Sequence, residues 1–209
     1  MRTIQKGSEP VTLTRHRQQP HADYDNYTDK ATLRQALVAE QHGLCCYCQS
    51  RIRASAEGMK IEHWQCQAHH PARQLDFANL LGACSGGHGR PEREQHCDTR
   101  KGNSSLCFSV CDPAHPIDRQ IRFLGDGTIT SDHGAIDEAI NAVLNLNLPR
   151  LVSNRKAVLE AFQQRLQDRR RFDPARELPK WDGSQPGELP EFAQVVVYWL
   201  RKRQARAAV

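Results

Sequence analysis

The sequence predicts an α+β protein with an N-terminal arm and helix, a compact cysteine-rich core and a mostly helical C-terminal lobe. Most of the cysteines and several short apolar runs are concentrated between residues 45 and 103. Apolar residues recur at helical spacing from residue 135 onwards, whereas no period is sustained near the N-terminus. We therefore divide the chain into an arm (1–27), a helix with the core (28–104) and a hairpin with a helical lobe (105–209).

Composition places the chain among globular proteins. Of its 209 residues, 38% are apolar and 25% are charged, and the net charge of +5 permits a polyanionic partner without identifying one. No run approaches the roughly 20 apolar residues of a membrane helix, and the first residues lack the apolar segment of a secretory signal. We therefore expect a cytoplasmic protein without membrane attachment. In a reducing compartment, the eight cysteines favour metal binding over disulfides.

The N-terminal region is predicted to contain one firm helix. Residues 1–27 should form an extended arm that is either mobile or laid against another surface. A helix should run from about Asp29 to His42, with Thr28 or Asp29 as its N-cap and Gly43 in the left-handed position after its end. Its apolar stripe consists of Leu33, Ala36 and Leu37.

Strands are predicted at two places. Residues 60–64 should form a short strand, followed by irregular chain over residues 65–78. Residues 85–94 should form a loop because they are rich in glycine and polar residues. Further along, residues 121–130 contain two short apolar runs around a Gly-Asp-Gly turn, which predicts a β-hairpin.

The C-terminal lobe is predicted to be helical. One helix should run from Ala135 to Leu146, and a longer one should begin near Pro149. A connector rich in proline and glycine, residues 174–190, should precede a last helix that begins at Glu191. The basic runs 169–171 and 201–203 are interpreted as solvated helix faces. The apolar stripes are Ile136, Ala139, Ile140, Val143 and Leu144, then Leu151, Val152, Val158, Leu159, Phe162 and Leu166, and finally Phe192, Val195, Val196, Trp199 and Leu200.

Four cysteines are predicted to bind a structural Zn²⁺ ion. Cys45 and Cys48 form a Cys-x-x-Cys pair whose sulfurs can point at one ion, and Cys84 and Cys97 complete a tetrahedral set. The insertion between Cys84 and Cys97 is tolerated because each doubling of loop length costs only ~0.6 kcal/mol. Zinc binding contributes on the order of 10 kcal/mol to the folding of such a site.

Other residues remain rival zinc ligands. We favour Cys46, Cys107 and Cys111 as buried small apolar side chains. Histidines in the polar segments are expected to be solvated loop residues. The rivals are Cys46, Cys66, Cys107, Cys111, His88 and His96, and the histidines expected to be solvated are His69, His70, His88 and His96.

A second group of residues has the chemistry needed to hydrolyse a phosphodiester. His63 can take a proton from water, while Glu62 and Asp98 offer hard oxygen ligands that suit Mg²⁺ or Mn²⁺. Asn79 can bind backbone groups and fix the loop that orients His63. The basic residues Arg100 and Lys101 are predicted to contact the phosphate beside the bond that is cut.

Together, these motifs resemble the HNH (ββα-metal) endonucleases of anti-phage defence, in particular the PtuB-like, Septu- and retron-associated branch. The likeness rests on Cys45-x-x-Cys48, Glu62-His63, Asn79-Leu80-Leu81, Cys84 and the segment 96–103, and it extends to the hairpin and to Leu144-Asn145-Leu146-Asn147. By position, His63 matches the general base and Asn79 the middle asparagine. Asp98 stands where many members have histidine or asparagine, which leaves the metal ligands open.

The resemblance implies a ββα-metal core and partners that the residues alone do not show. It implies an ATPase of the ABC/SMC type (PtuA-like), in some systems together with a retron reverse transcriptase and its RNA–DNA product. The substrate is expected to be nucleic acid, with DNA favoured and RNA, including tRNA, as the alternative.

Two other functions are compatible with these residues. The chain could be a non-catalytic zinc-ribbon adaptor that binds nucleic acid or a partner protein. A zinc hydrolase is less favoured because four thiolates leave no open position for water. The arm and the apolar faces around Phe162 and Trp199 could dock on a partner, or the helices could simply pack on one another.

Overall fold

The computed structural model describes residues 1–167 and 172–207, so the predicted basic run 169–171 lies outside the described residues. In this part of the chain the protein is α+β, as predicted, with eight α-helices and two sheets of two strands each. None of the described helices has both the length and the apolar composition that crossing a membrane requires.

The regular elements are numbered in chain order. The helices are α1 (Val11–Arg17), α2 (Lys30–Glu40), α3 (Cys97–Lys101), α4 (Ile117–Gln120), α5 (Gly134–Glu138), α6 (Pro149–Gln167), α7 (Pro174–Glu177) and α8 (Ala193–Ala207). The strands are β1 (Lys60–His63), β2 (Leu80–Ala83), β3 (Arg122–Phe123) and β4 (Ile129–Thr130). Short 3₁₀-helices occupy Pro71–Arg73, Phe77–Asn79, Glu92–Glu94 and Leu178–Lys180, and a π-helical turn, Ala139–Val143, continues α5.

The N-terminal segment is not simply an extended arm. It contains α1, and it buries Met1, Ile4 and Leu13 in the core. The Ile4 N–H donates to the Val110 carbonyl at 2.7 Å, so the segment lies against the chain's own surface. Helical spacing was not visible in the sequence because α1 is short and buries only one residue, Leu13.

Helix α2 follows the prediction closely. Its N-cap is Asp29, whose carboxylate accepts a hydrogen bond from the Thr32 N–H at 3.2 Å, and its buried residues are Leu33 and Leu37. Gly43 has φ of +74°, and its N–H donates to the Val38 carbonyl at 2.9 Å. The helix therefore ends in a left-handed turn that leads directly into the cysteine-rich core.

Strands β1 and β2 form an antiparallel pair at the centre of the core. Glu62 lies opposite Leu81 and His63 opposite Leu80. The Gln41 side chain, just after α2, accepts from the Gly82 N–H at 2.6 Å and donates to the Gly82 carbonyl at 2.8 Å. The end of α2 is thereby attached to β2. After an insertion, the chain returns to this sheet as α3.

The C-terminal lobe contains the predicted hairpin, β3–β4, and three main helical segments. Asn147 links the hairpin to the helices, since its side chain accepts from the Ile129 N–H at 2.9 Å and donates to the Ile129 carbonyl at 2.8 Å. Phe162 is buried and makes edge contacts with Trp181 and Trp199 at ring-centroid distances of 5.3 and 5.5 Å. The apolar face around Phe162 is therefore occupied by intramolecular packing.

Two predicted elements of this lobe differ from the structure. The first predicted helix is a short α-helix, α5, followed by a π-helical turn. The connector 174–190 is not irregular throughout, because it includes α7 and a 3₁₀-helix. Asp173 caps α7 by accepting from the Ala175 N–H at 2.9 Å, and Pro174 suits the first helical position.

Candidate active site and metal centre

The four predicted cysteines form one compact cluster. The Sγ atoms of Cys45 and Cys97 are 3.8 Å apart, those of Cys48 and Cys84 are 3.7 Å apart, and all four lie within 4.8 Å of one another. A tetrahedral ion with bonds of about 2.3 Å places its sulfur ligands about 3.8 Å apart. Disulfide sulfurs would be about 2.05 Å apart. The four sulfurs could therefore hold a metal ion such as zinc.

Backbone hydrogen bonds position each sulfur. Cys45 and Cys48 lie in a tight turn that closes when the Gln49 N–H donates to the Cys45 carbonyl at 3.1 Å. Cys84 directly follows β2, and Cys97 is the first residue of α3. Cys97 has φ of +55°, an uncommon left-handed conformation, and its N–H donates to the Leu144 carbonyl at 2.9 Å. The C-terminal lobe thus helps to hold the fourth sulfur in place.

Glycine is required where the insertion returns to the cluster. The His96 N–H donates to the Gly86 carbonyl at 2.9 Å, which closes the loop between Cys84 and Cys97. Gly86 has φ of +59°, and a Cβ at this position would lie 2.3 Å from the His96 carbonyl oxygen. Any other residue would push the two ends of the insertion apart.

The thiols ionise unequally in the absence of a cation. Burial opposes ionisation of Cys45, but hydrogen bonds from Cys46, Cys48, Cys84 and Cys97 outweigh it and hold the pKa of Cys45 well below its ordinary value. The pKa of Cys97 is raised, by burial first and then by hydrogen bonding to the neighbouring sulfurs. Negative charge at one sulfur therefore keeps protons on others, and a divalent cation is the group that would allow all four to become thiolates.

The rival cysteines lie outside this cluster. Cys46 is buried, as expected, and its N–H donates to the Gly82 carbonyl at 3.0 Å. The expectation of burial is wrong for Cys107, which is exposed, and only partly right for Cys111, which is half-buried. Both follow the core on an irregular segment. Cys66 is buried, and its Sγ lies 3.4 Å from Nδ1 of His69.

His96 is not a solvated loop residue. It is buried, it directly precedes α3, and its Nε2 lies 3.9 Å from the Cys84 Sγ. Burial lowers the pKa of His96, but hydrogen bonding to Cys48 and the charge of that sulfur outweigh burial, so the pKa is raised. His96 therefore supports the cluster from outside. His69 and His88 are exposed, as expected, and His70 is half-buried.

Glu62 is the centre of a buried polar network. Its Oε1 accepts hydrogen bonds from the Tyr47 hydroxyl and from the Lys101 Nζ, each at 2.8 Å. The exposed fraction of the side chain is 2% for Glu62 and 0% for Lys101. Burial, followed by a hydrogen bond to Asp98 and the charge of that residue, raises the pKa of Glu62 well above its ordinary value, although Lys101 acts in the opposite direction. Burial and Asp98 therefore disfavour the charged form of Glu62, and Lys101 favours it.

His63 is held as a neutral imidazole. Its Nε2 lies 3.0 Å from the Gln74 carbonyl oxygen, which can only accept, so we place the proton on Nε2 and the lone pair on Nδ1. Burial lowers the pKa of His63 below its ordinary value, and this outweighs the hydrogen bond to Gln74 and the charge of Asp98. The Tyr24 ring packs edge-on against the imidazole at a centroid distance of 4.5 Å. The Gln67 Nε2 lies 3.1 Å from the same His63 Nε2, so this tautomer requires the Gln67 amide to present its oxygen there instead. The contacts with Gln74 and Tyr24 fix the orientation of the ring.

Asn79 fixes the chain that follows His63. Its Nδ2 donates to the carbonyls of Gln65 and Arg73, each at 3.0 Å, and its Oδ1 accepts from the Gln65 N–H at 2.8 Å. The Asn79 carbonyl also accepts from the Trp64 N–H at 3.0 Å. Asn79 thus makes the backbone bonds that we expected of it. Its part in catalysis stays a prediction.

One open cleft brings most of the predicted residues together. Glu62, His63 and Asp98 line a cleft of about 380 Å³, together with Lys60 and Thr99. The buried Asn79 does not line it. Among the described residues, the cysteine cluster is the only group of three or more potential ligands that converge on one point. Glu62 and Asp98 would therefore hold a cation only with further oxygen atoms from substrate or water.

The two residues predicted to contact phosphate have different surroundings. Lys101 is enclosed, and its Nζ donates to Glu62 and to the His63 carbonyl, the latter at 3.1 Å. The predicted contact between Lys101 and a phosphate is therefore wrong, because its ammonium group is inaccessible to a ligand. Arg100 is partly exposed and is hydrogen-bonded to Glu92, so its contact with phosphate stays a prediction.

Sequence reasoning missed two residues of the site. Lys60 lines the cleft, and its Nζ lies 2.8 Å from the Thr99 Oγ1 and 3.5 Å from the Asp98 carboxylate. Tyr47 holds Glu62 from inside the cysteine turn. The position of Lys60 two residues before Glu62 is a usable signal, since residues i and i+2 of a strand share a face. Comparison with known proteins gave no match, either to a protein-family model or to a curated protein.

Proposed function

We propose that this protein is a metal-dependent endonuclease of the HNH type, with β1, β2 and α3 as its ββα-metal core. The observation that carries the proposal is the placement of Glu62, His63 and Asp98 along one open cleft. Asp98 raises the pKa of Glu62, so a metal ion between the two carboxyl groups would favour the ionised form of Glu62. A cation site beside a neutral histidine provides the two groups that metal-dependent hydrolysis of a phosphodiester uses.

In this proposal, His63 is the general base. Its Nδ1 keeps a lone pair because Nε2 donates to the Gln74 carbonyl. The lowered pKa of His63 keeps the ring neutral near pH 7, which is the form that can accept a proton from water. Asn79 is a positioning residue, because its bonds to Gln65 and Arg73 fix the loop on which the Gln74 carbonyl lies.

Glu62 and Asp98 are the proposed ligands of Mg²⁺ or Mn²⁺. Carboxylate oxygens suit these ions, which commonly use one or two carboxylates and complete their coordination with water and phosphate oxygens. A bound ion would neutralise charge on the phosphoryl oxygens and on the leaving group. Lys60 faces the same cleft and is placed to neutralise a neighbouring phosphate.

The cysteine cluster is proposed to hold zinc in a structural role. Four sulfurs fill the coordination sphere, so this ion would stabilise the turn of Cys45 and the start of α3 rather than activate water. Glu62 and Asp98 are thereby held together, because the sheet and α3 meet at the cluster. From the resemblance of the motifs, we further propose an anti-phage role with an ATPase of the ABC/SMC type, and with DNA as the favoured substrate.

The test is cleavage by zinc-loaded protein. Wild-type protein and His63→Ala, each with and without the proposed ATPase, should be incubated with plasmid, single-stranded DNA and total tRNA. We expect cleavage by wild type with Mg²⁺ or Mn²⁺, none with chelator, and a loss in His63→Ala at unchanged zinc content. Binding of nucleic acid without cleavage by wild type, with either ion and with the partner present, would overturn the proposal.

One observation favours the non-catalytic zinc-ribbon adaptor. The Lys101 Nζ lies 2.8 Å from Glu62 inside the protein, so Glu62 already has a cationic partner and needs no metal ion. In an adaptor, the pair would have a purely structural role. The two functions predict different results for Asp98→Asn. In a nuclease, this substitution should abolish cleavage. In an adaptor, it should leave binding to nucleic acid or to a partner protein unchanged.

A further inference from the structure

A second cleft lies at the segment that follows β2, from Cys84 to Gly87, and has a basic lining. It has a volume of about 330 Å³ and is lined by Arg51, Arg90 and Arg150, together with His88 and His96. No carboxylate is among the described residues that line it. A cleft with this lining concentrates positive potential and favours an anion.

Two of these arginines are available to bind a ligand. Arg90 has only a weak ion pair with Glu94, at 3.5 Å, and its side chain is 65% exposed. Arg150 has no carboxylate within 4.0 Å in the part of the chain that the structure describes, and its Nη2 lies 3.2 Å from the His96 Nε2. Arg51 already has partners within the protein, because its guanidinium donates to the Gly43 carbonyl at 3.1 Å and pairs with Glu188 at 3.4 Å.

The basic cleft adjoins the proposed catalytic cleft. Ser85 lines the basic cleft, and its carbonyl accepts from the Thr99 Oγ1 at 2.8 Å. Thr99 and Lys60 line the catalytic cleft, and the Lys60 Nζ donates to the Thr99 Oγ1 at 2.8 Å. Two hydrogen bonds therefore link residues that line the two clefts, so the clefts lie close together.

We propose that the basic cleft binds the phosphate backbone of a polynucleotide on one side of the scissile phosphate, with Arg90 and Arg150 as its principal contacts. The assignment rests on the proposed nuclease function for the class of ligand. It implies that an efficient substrate extends beyond the bond that is cut. It also implies recognition by charge, so that affinity falls steeply with salt and depends little on base sequence.

The test is binding measured without cleavage. A fluorescently labelled oligonucleotide is titrated with zinc-loaded His63→Ala protein, without added Mg²⁺ or Mn²⁺, at several salt concentrations. The test variant adds Arg90→Gln and Arg150→Gln. The matched control adds Arg119→Gln and Arg206→Gln, which remove two exposed arginines that do not line the cleft.

For two lost phosphate contacts, the slope of log affinity against log salt should fall by about 1.4 to 1.8, and affinity at 0.15 M salt should fall on the order of 10- to 30-fold. The control should change affinity by less than about 3-fold. Equal losses in the two double variants would overturn the proposal. A competition experiment distinguishes a polynucleotide from a free anion. If millimolar inorganic phosphate displaces the oligonucleotide more than sulfate does at the same ionic strength, the ligand is a free anion and the proposal is overturned.

Folding and catalysis are controlled separately. Arg150 contacts His96 next to the cysteine cluster, so zinc content and thermal unfolding are measured for each variant, and Arg90→Gln alone provides a variant outside that contact. Arg90→Gln alone should lower affinity by about 4-fold. If wild type cleaves nothing yet Arg90→Gln weakens binding, the nuclease proposal fails and the binding cleft stands. If wild type cleaves and Arg90→Gln binds normally, the cleft assignment fails.

Discussion

Replacement of Lys101 by methionine should strongly destabilise the protein. The Lys101 side chain is fully enclosed and donates to Glu62 at 2.8 Å and to the His63 carbonyl at 3.1 Å. Methionine preserves most of the volume but provides neither the charge nor the donors. Removal of one member of a buried ion pair costs roughly 3–5 kcal/mol because the remaining charge has lost its partner. We expect a loss in this range for Lys101→Met.

The matched control is Lys156→Met on α6. Lys156 pairs with Glu160 at 3.7 Å, but both side chains are more than half exposed. Exposed helical pairs contribute about 0.3–0.5 kcal/mol, so the control should remain close to wild type. The assay is urea-induced unfolding at pH 7 with zinc present, measured with and without Mn²⁺.

The effect of Mn²⁺ on this variant connects stability with the proposed function. An ion at Glu62 and Asp98 would replace the missing positive charge, and at 100 times its Kd it would stabilise the folded state by about 2.7 kcal/mol. The gain should be at least as large in Lys101→Met as in wild type, because Lys101 repels a second cation. A loss below about 1 kcal/mol without Mn²⁺, or no recovery with Mn²⁺, would refute the reasoning.

Three further predictions follow from the same geometry. Cys48→Ser should lose zinc and unfold, because zinc in such a site contributes on the order of 10 kcal/mol to folding. The control Cys107→Ser changes an exposed thiol and should keep both its zinc and its fold. Metal analysis and circular dichroism measure the two properties, and a folded, zinc-containing Cys48→Ser protein would contradict the prediction. Because the folded pKa of His63 is lowered from 6.5, kcat/KM should rise with pH to a plateau whose midpoint lies below 6.5; a midpoint above 7 would exclude this base. Asn79→Asp turns a carboxylate oxygen towards two backbone carbonyls and should destabilise by about 2 kcal/mol in urea unfolding, and a change below 0.5 kcal/mol would mean that the loop does not depend on Asn79.

Local chemistry predicted much of the fold and the cysteine cluster. The Cys-x-x-Cys spacing predicted the turn at Cys45. Because a tetrahedral metal ion needs four ligands, the sequence also predicted that Cys84 and Cys97 would lie beside this turn. The cap at Asp29 and the left-handed turn at Gly43 were predictable because each depends only on neighbouring residues. The adjacent pair Glu62-His63 was correctly placed on a strand.

Long-range partners could not be predicted from the same patterns. Lys101 resembles any basic residue near the end of a helix, and only the tertiary structure places it beside Glu62. His96 lies in a polar loop by composition, yet packing against Cys84 and Arg150 buries it. Helix α1 was missed because it is short and buries only Leu13. The residues before it are attached by contacts with distant residues, such as the bond from Ile4 to the Val110 carbonyl.

Binding of Mn²⁺ tests the central claim most directly. Zinc-loaded His63→Ala protein is mixed with a single-stranded oligonucleotide and titrated with Mn²⁺, and the free ion is measured by electron paramagnetic resonance. We predict one bound Mn²⁺ per chain, lost when Asp98→Asn is added and retained when the surface change Asp112→Asn is added. A folded, zinc-loaded protein that binds no Mn²⁺, or that binds it equally well with Asp98→Asn, would contradict the account.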